Sequence, residues 1–127
     1  AERLIAGRNP TPQARAARQE RTISAARQFT SGDSSLRPLN PEWDRSFLDI
    51  LARGDWMAID DMSNDSITEQ GGKSAHEIRS WVAAFAALNA HGPYKASLDY
   101  YRPIPEWIAG FATMQAQSLR LVESVAA

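Results

Sequence analysis

Proline and glycine cut this chain into short segments before any other residue has a say. Thr11-Pro12 and Asn40-Pro41 each join a helix-capping side chain to a proline whose fixed φ suits the first helical position. Gly32 and Gly54 stand where those two helices would stop. Gly71-Gly72 and Gly92-Pro93 bracket a third segment, and Pro103 and Pro105 stiffen a turn near the end. The regular elements must fit between these marks.

Hydrophobic spacing says what each segment can be. From Pro12 to about Thr30 a helix is expected, but Ile23, Ala26 and Phe29 make only a narrow apolar stripe. Arg15, Arg18, Arg21 and Arg27 crowd the rest. Such a helix reads either as a solvated arm packed on a larger body or as a surface that docks anionic partners. The chain has 14 basic and 15 acidic side chains and no aromatics interleaved with the arginines, which favours the arm and argues against nucleic acid. From Pro41 to about Arg53, Trp43, Phe47 and Leu51 keep an i, i+4 ridge that belongs to a core. Residues 55–70 allow only short helical turns. Their acidic cluster, Asp55, Asp60, Asp61 and Asp65, lacks the spacing of a calcium loop and reads as surface charge.

The third helix is expected to begin straight after Gly71-Gly72. Ser74 and Glu77 have the S-x-x-E spacing of a capping box, and Ile78, Trp81, Val82, Phe85 and Leu88 follow on one face. Tyr94 to Arg102 reads as a strand in which Ala96, Leu98 and Tyr100 alternate with polar neighbours. Ile108 to Met114 fits a short strand or a helix, and the last dozen residues a weak helix. The expected fold is mostly α with two or three strands, and 127 residues suffice for one domain.

The chemistry available is narrow. Cysteine is absent, which removes disulfides, thiolate zinc and a cysteine nucleophile, and suits a reducing cytoplasm. No apolar run approaches the roughly 18 residues that span a bilayer, so no membrane partner is expected. No G-x-S-x-G elbow or phosphate-cradling glycine loop occurs. Only His76 and His91 could serve a metal site of two histidines and one carboxylate. On an intact helix His76 would point away from the apolar face, as a surface or interface histidine, while Glu77 sits at that face's edge. His91 would lie roughly 20 Å farther along the axis, near a helix C-terminus whose dipole favours it. The three cannot converge on one ion. Glu77 is thus either a capping glutamate or a carboxylate held ionised by the helix N-terminus for a hard cation. Tyr100, Tyr101, Trp107 and Phe111, gathered around two prolines, are either core or the lining of an aromatic pocket.

Taken together, LRPLNPEWDRSFLDIL (36–51), GGKSAHEIRSWVAAFAAL (71–88) and YYRPIPEWIAGFA (100–112) resemble the C-terminal part of the class III, LigB-type extradiol ring-cleaving dioxygenases. ARQERTISAARQF (17–29) fits an upstream helix of the same family, so the resemblance runs from about residue 3 to 116. It implies an α/β enzyme that opens a catechol ring, of the 2,3-dihydroxyphenylpropionate type, with Fe(II) and O2. It also implies that Glu77, in HEIRSW, is the carboxylate metal ligand. The family's metal-binding and acid–base histidines lie in an N-terminal portion with no counterpart here, and neither His76 nor His91 maps onto them. The region Tyr101 to Ile108 is expected near substrate, with no single residue assigned.

On this reading residues 1–127 are one C-terminal segment of a dioxygenase domain. It comprises an arm helix (12–30), a helical core (41–92), a strand and turn region (94–116) and a tail (117–127). The start at Ala1 rather than Met fits a processed chain or a fragment. The isolated chain is expected to be inactive, to need the missing N-terminal portion, and to associate as a homo-oligomer through exposed apolar surface. The rival expectation is a non-catalytic helical accessory or interaction module of the same fold, with Glu77 acting only as a cap.

Overall fold

A computed structural model describes residues 10–120. Along the chain run α1 (Pro12–Ser31), α2 (Pro41–Arg53), α3 (Trp56–Asp60) and α4 (Asn64–Gly71). A 3₁₀ turn (Lys73–Glu77), α5 (Ile78–Asn89), β1 (Tyr94–Ile104), a second 3₁₀ turn (Pro105–Trp107) and β2 (Ala109–Ser118) follow. The chain is mostly helical, and its two strands pair antiparallel as a hairpin. Among the described residues no helix is long and apolar enough to cross a membrane.

The expected caps form at the first two helices. Thr11 Oγ1 accepts from Ala14 N–H at 3.2 Å and Asn40 Oδ1 from Trp43 N–H at 3.1 Å. Both helices end on a glycine in the left-handed region, Gly32 and Gly54. Asp55 and Ser63 cap α3 and α4 in the same way.

The third helix departs from expectation. Gly72 has φ 77° and ψ −179°, a backbone setting only glycine takes easily, and it turns the chain into the 3₁₀ segment. Ser74 therefore lies inside that turn rather than at a cap, and no side-chain cap bond forms there. The α-helix starts at Ile78, with Glu77 itself at the cap position in a helical conformation and making no cap bond. The capping box of the sequence is not made.

The described chain divides into two compact units. One comprises the residues up to Ser35 together with Pro105–Ile108, so α1 is packed against the hairpin tip. None of the side chains of α1 is buried. The other comprises Leu36–Ile104 and the residues from Ala109 onward.

The second unit holds the core. Phe47, Leu48, Leu51 and Phe85 are buried, with Ile78, Trp81, Val82, Tyr94, Tyr101 and Met114 among the half-buried residues around them. The Trp43, Phe47, Leu51 ridge and the Ile78, Trp81, Phe85 face thus meet as expected. Trp43 stacks on Phe47 with centroids 6.2 Å apart, and Phe85 meets Tyr94 edge-on at 5.4 Å. Leu51 is 0% exposed, and its burial contributes about 2 kcal/mol.

In the hairpin, Leu98 pairs with Met114 and Tyr100 with Thr113, so Asp99 is an extra residue on β1. Ala96 faces the core before the bulge and Tyr101 after it. Leu98 and Tyr100, expected on the same face as Ala96, are 39% and 47% exposed, and past the inserted residue the inward position passes to Tyr101. The ambiguous stretch from Ala109 to Met114 is strand. Ala116–Ser118, expected in a terminal helix, also belong to β2, and residues 121–127 of that expected helix lie outside the described residues.

Candidate functional site

Glu77 is the last residue of the 3₁₀ turn and stands at the entrance to α5, with its side chain exposed. No side-chain cap bond occupies it. The helix N-terminus beside it carries about half a positive charge.

The preceding residue is placed differently from expectation. His76 is half-buried rather than on the outer surface, because the 3₁₀ turn rotates it toward α4. Its Nε2 lies 2.8 Å from Thr68 Oγ1. The Thr68 hydroxyl also donates to the Asn64 carbonyl at 2.9 Å. With that proton committed, the imidazole donates from Nε2 to the Thr68 oxygen. Nδ1 is buried and has no hydrogen-bond partner among the described residues. Arg79, two residues into the helix beyond Glu77, donates to Asn64 Oδ1. The turn that presents Glu77 is thus tied to α4 on both sides.

His91 is exposed and lies two residues beyond the end of α5. Asp55, Asp60, Asp61 and Asp65 are exposed, as expected of surface charge. Among the described residues no three His, Cys, Asp or Glu side chains are close enough to hold a metal ion. Glu77 fits one position of a metal site, as a hard oxygen donor.

A polar pair that sequence spacing did not suggest lies beneath the hairpin. The Tyr101 hydroxyl donates to Asp44 Oδ2 at 2.6 Å, and the Arg45 guanidinium lies 4.6 Å from the Tyr101 ring centroid. Burial, and then the neighbouring Asp44 carboxylate, push the Tyr101 phenol far above its ordinary value. Trp43, Phe47, Ile78, Trp81 and Gly110 join the pair around a cavity of about 90 Å³. Tyr94 makes a similar tie, donating to the Leu51 carbonyl at 2.6 Å, and burial raises its phenol too.

The four aromatics gathered around the prolines differ in their surroundings. Tyr101 packs on the core, Tyr100 and Phe111 are exposed, and Trp107 belongs to the first unit. Within that unit Trp107 and Ile108 line a groove of about 390 Å³ against α1.

Comparison with known proteins places the chain. The family described as the catalytic LigB subunit of aromatic ring-opening dioxygenase matches residues 10–112. A relative from Cupriavidus pinatubonensis, named 2,3-dihydroxyphenylpropionate/2,3-dihydroxicinnamic acid 1,2-dioxygenase, is 71% identical over 117 residues, which are 92% of this chain and 37% of the relative. Proteins of the same name from Cupriavidus necator and Burkholderia vietnamiensis are 70% and 64% identical, over 92% and 95% of this chain and 37% and 38% of their own lengths. The chain spans a little over a third of the length of these curated relatives. Over the stretch it does span, the chain belongs to the LigB family of aromatic ring-opening dioxygenases.

Proposed function

We propose that this chain forms the carboxylate-bearing part of an extradiol dioxygenase that opens a catechol ring of the 2,3-dihydroxyphenylpropionate type, with Glu77 as a ligand of iron(II). The observation that carries the reading is the 71% identity to a relative named for that substrate and reaction. The exposed, uncapped placement of Glu77 within HEIRSW supports its assignment.

When bound, iron(II) would bring catecholate and dioxygen together on one centre. The chain's own part is to hold a carboxylate oxygen at the start of α5. The Thr68–His76 contact and the Arg79–Asn64 bond fix the turn that carries it. Ile78, the next residue, packs against the core and anchors the helix from below. The remaining metal ligands and the groups that move protons are assigned to polypeptide outside this chain. Its partners are then the catechol, dioxygen, that further polypeptide and other copies of itself. The cytoplasmic location expected from the sequence remains part of this proposal.

The test uses a protein of the relatives' length carrying this segment. Glu77→Ala should abolish both stoichiometric Fe(II) binding and catechol cleavage while leaving the far-ultraviolet circular dichroism unchanged. Full activity in that variant would remove Glu77 from the metal. Anaerobic Fe(II) titration of the 127-residue chain should give no tight stoichiometric binding, and tight binding would contradict the assignment of ligands to other polypeptide.

A further inference from the structure

The turn that presents Glu77 is not fixed in place by apolar packing. Glu77 is exposed and takes no part in a side-chain cap. Ile78, the next residue, packs on the core but also borders a cavity of about 170 Å³ together with Phe47, Met62, Ile67 and Val82. Side chains facing a void lose contact on that side, and apolar attraction has no direction of its own. This packing keeps the start of α5 against the core without deciding where the turn stands on it.

Directional ties to α4 flank Glu77 on both sides. Before it, His76 Nε2 donates to the Thr68 hydroxyl at 2.8 Å, and that hydroxyl donates onward to the Asn64 carbonyl. His76 Nδ1 is buried without a partner among the described residues, so a ring that loses Thr68 keeps no hydrogen bond there. Such a bond is costly to lose. After Glu77, Arg79 donates to Asn64 Oδ1. Gly71, the last residue of α4, brings helix and turn into contact, since a Cβ on it would collide with Ala75 and the Trp43 ring. α4 is itself held to the body by buried Ile67 and by Asn40, whose side-chain amide donates to the Gln70 carbonyl at 3.1 Å.

We propose that Thr68 and His76 are positioning residues for the metal carboxylate: through the 3₁₀ turn they set where the Glu77 oxygens stand, and with that the affinity for Fe(II). The proposal rests on the reading of Glu77 as a metal ligand given above. The Thr68–His76 bond acts one residue from the carboxylate, inside a single 3₁₀ segment, so little backbone lies between the tie and the ligand. Groups that hold a ligand in place are worth roughly 10–100-fold in metal affinity. On this account His76 serves the metal without touching it.

The test is anaerobic Fe(II) titration of a protein of the relatives' length carrying this segment. Thr68→Val and His76→Leu should each raise the Fe(II) dissociation constant about tenfold or more. The two together should lose no more than either alone, since they share one bond. Thr68→Ser keeps the hydroxyl and His76→Gln keeps an Nε2 donor, so both should bind Fe(II) as tightly as the unaltered protein. Tyr94→Phe removes a bond from β1 to the Leu51 carbonyl, and should lower the urea midpoint without changing iron affinity. Unchanged affinity in Thr68→Val and His76→Leu, losses that serine and glutamine do not restore, or an equal loss in Tyr94→Phe would each overturn the proposal. Glu77→Ala separates it from the reading beneath. Iron lost in Glu77→Ala but held normally by Thr68→Val and His76→Leu removes the positioning role alone. Iron held normally by Glu77→Ala removes the ligand role, and this one with it.

Discussion

The Tyr101 hydroxyl reaches across 57 residues of chain to donate to Asp44 Oδ2 at 2.6 Å, and so ties β1 to the first turn of α2. Removing the donor leaves a half-buried carboxylate without its bond. Tyr101→Phe should therefore cost about 1–3 kcal/mol in urea unfolding. Combining it with Asp44→Ala should cost less than the two single effects together, since they share one interaction. Strict additivity would mean that the bond contributes nothing.

The same pair sets an alkaline limit. Tyr101 and Tyr94 both hold their protons more tightly in the folded chain than a free phenol, whose pKa is about 10. Above about pH 10 the unfolded chain loses these protons while the folded chain retains them, so stability falls as pH rises. The contribution is fully present below that pH. Thermal unfolding between about pH 9 and 11 should show the loss, and Tyr101→Phe should reduce its slope. An unchanged slope would show that Tyr101 does not retain its proton on folding.

Gly110 sits where a side chain cannot. A Cβ there would collide with the Asp44 carboxylate and come within 3.1 Å of the Tyr101 ring. Gly110→Ala should destabilise by about 1–3 kcal/mol. Much of that loss should disappear when Asp44→Ala is added, as chemical denaturation of the double variant would reveal.

Caps that form and a cap that does not form give opposite expectations for similar sequence signals. Asn40→Ala removes a side-chain bond to the start of α2 and should cost about 1 kcal/mol. Ser74→Ala removes no cap bond and should stay within a few tenths of a kcal/mol. Equal losses in the two variants, read from melting curves, would mean that Ser74 has a role the turn does not display.

What could be read from the sequence was whatever local chemistry decides. Thr11, Asn40, Gly32 and Gly54 set the ends of α1 and α2 through bonds within four residues, and the i, i+4 ridge marked the core face of α2. The start of α5 was misread because Ser74 and Glu77 carry the right spacing for a cap. The backbone angles of Gly72, which no spacing encodes, put a 3₁₀ turn there instead. That same turn moved His76 inward against Thr68. Asp44 and Tyr101 escaped notice because their partnership is wholly tertiary. Glu77 was reached through its motif, and spacing alone left it divided between cap and ligand.

The extra residue at Asp99 has a consequence beyond its own strand. It acts as a change of phase: the even-numbered Tyr94 and Ala96 face inward before it, and the odd-numbered Tyr101 after it. Of two adjacent tyrosines, that single insertion decides which one is joined to Asp44 and which is left to water. The bond that anchors β1 to α2 is thus selected by a counting error in the ladder, kept because the partner strand has no residue with which to correct it.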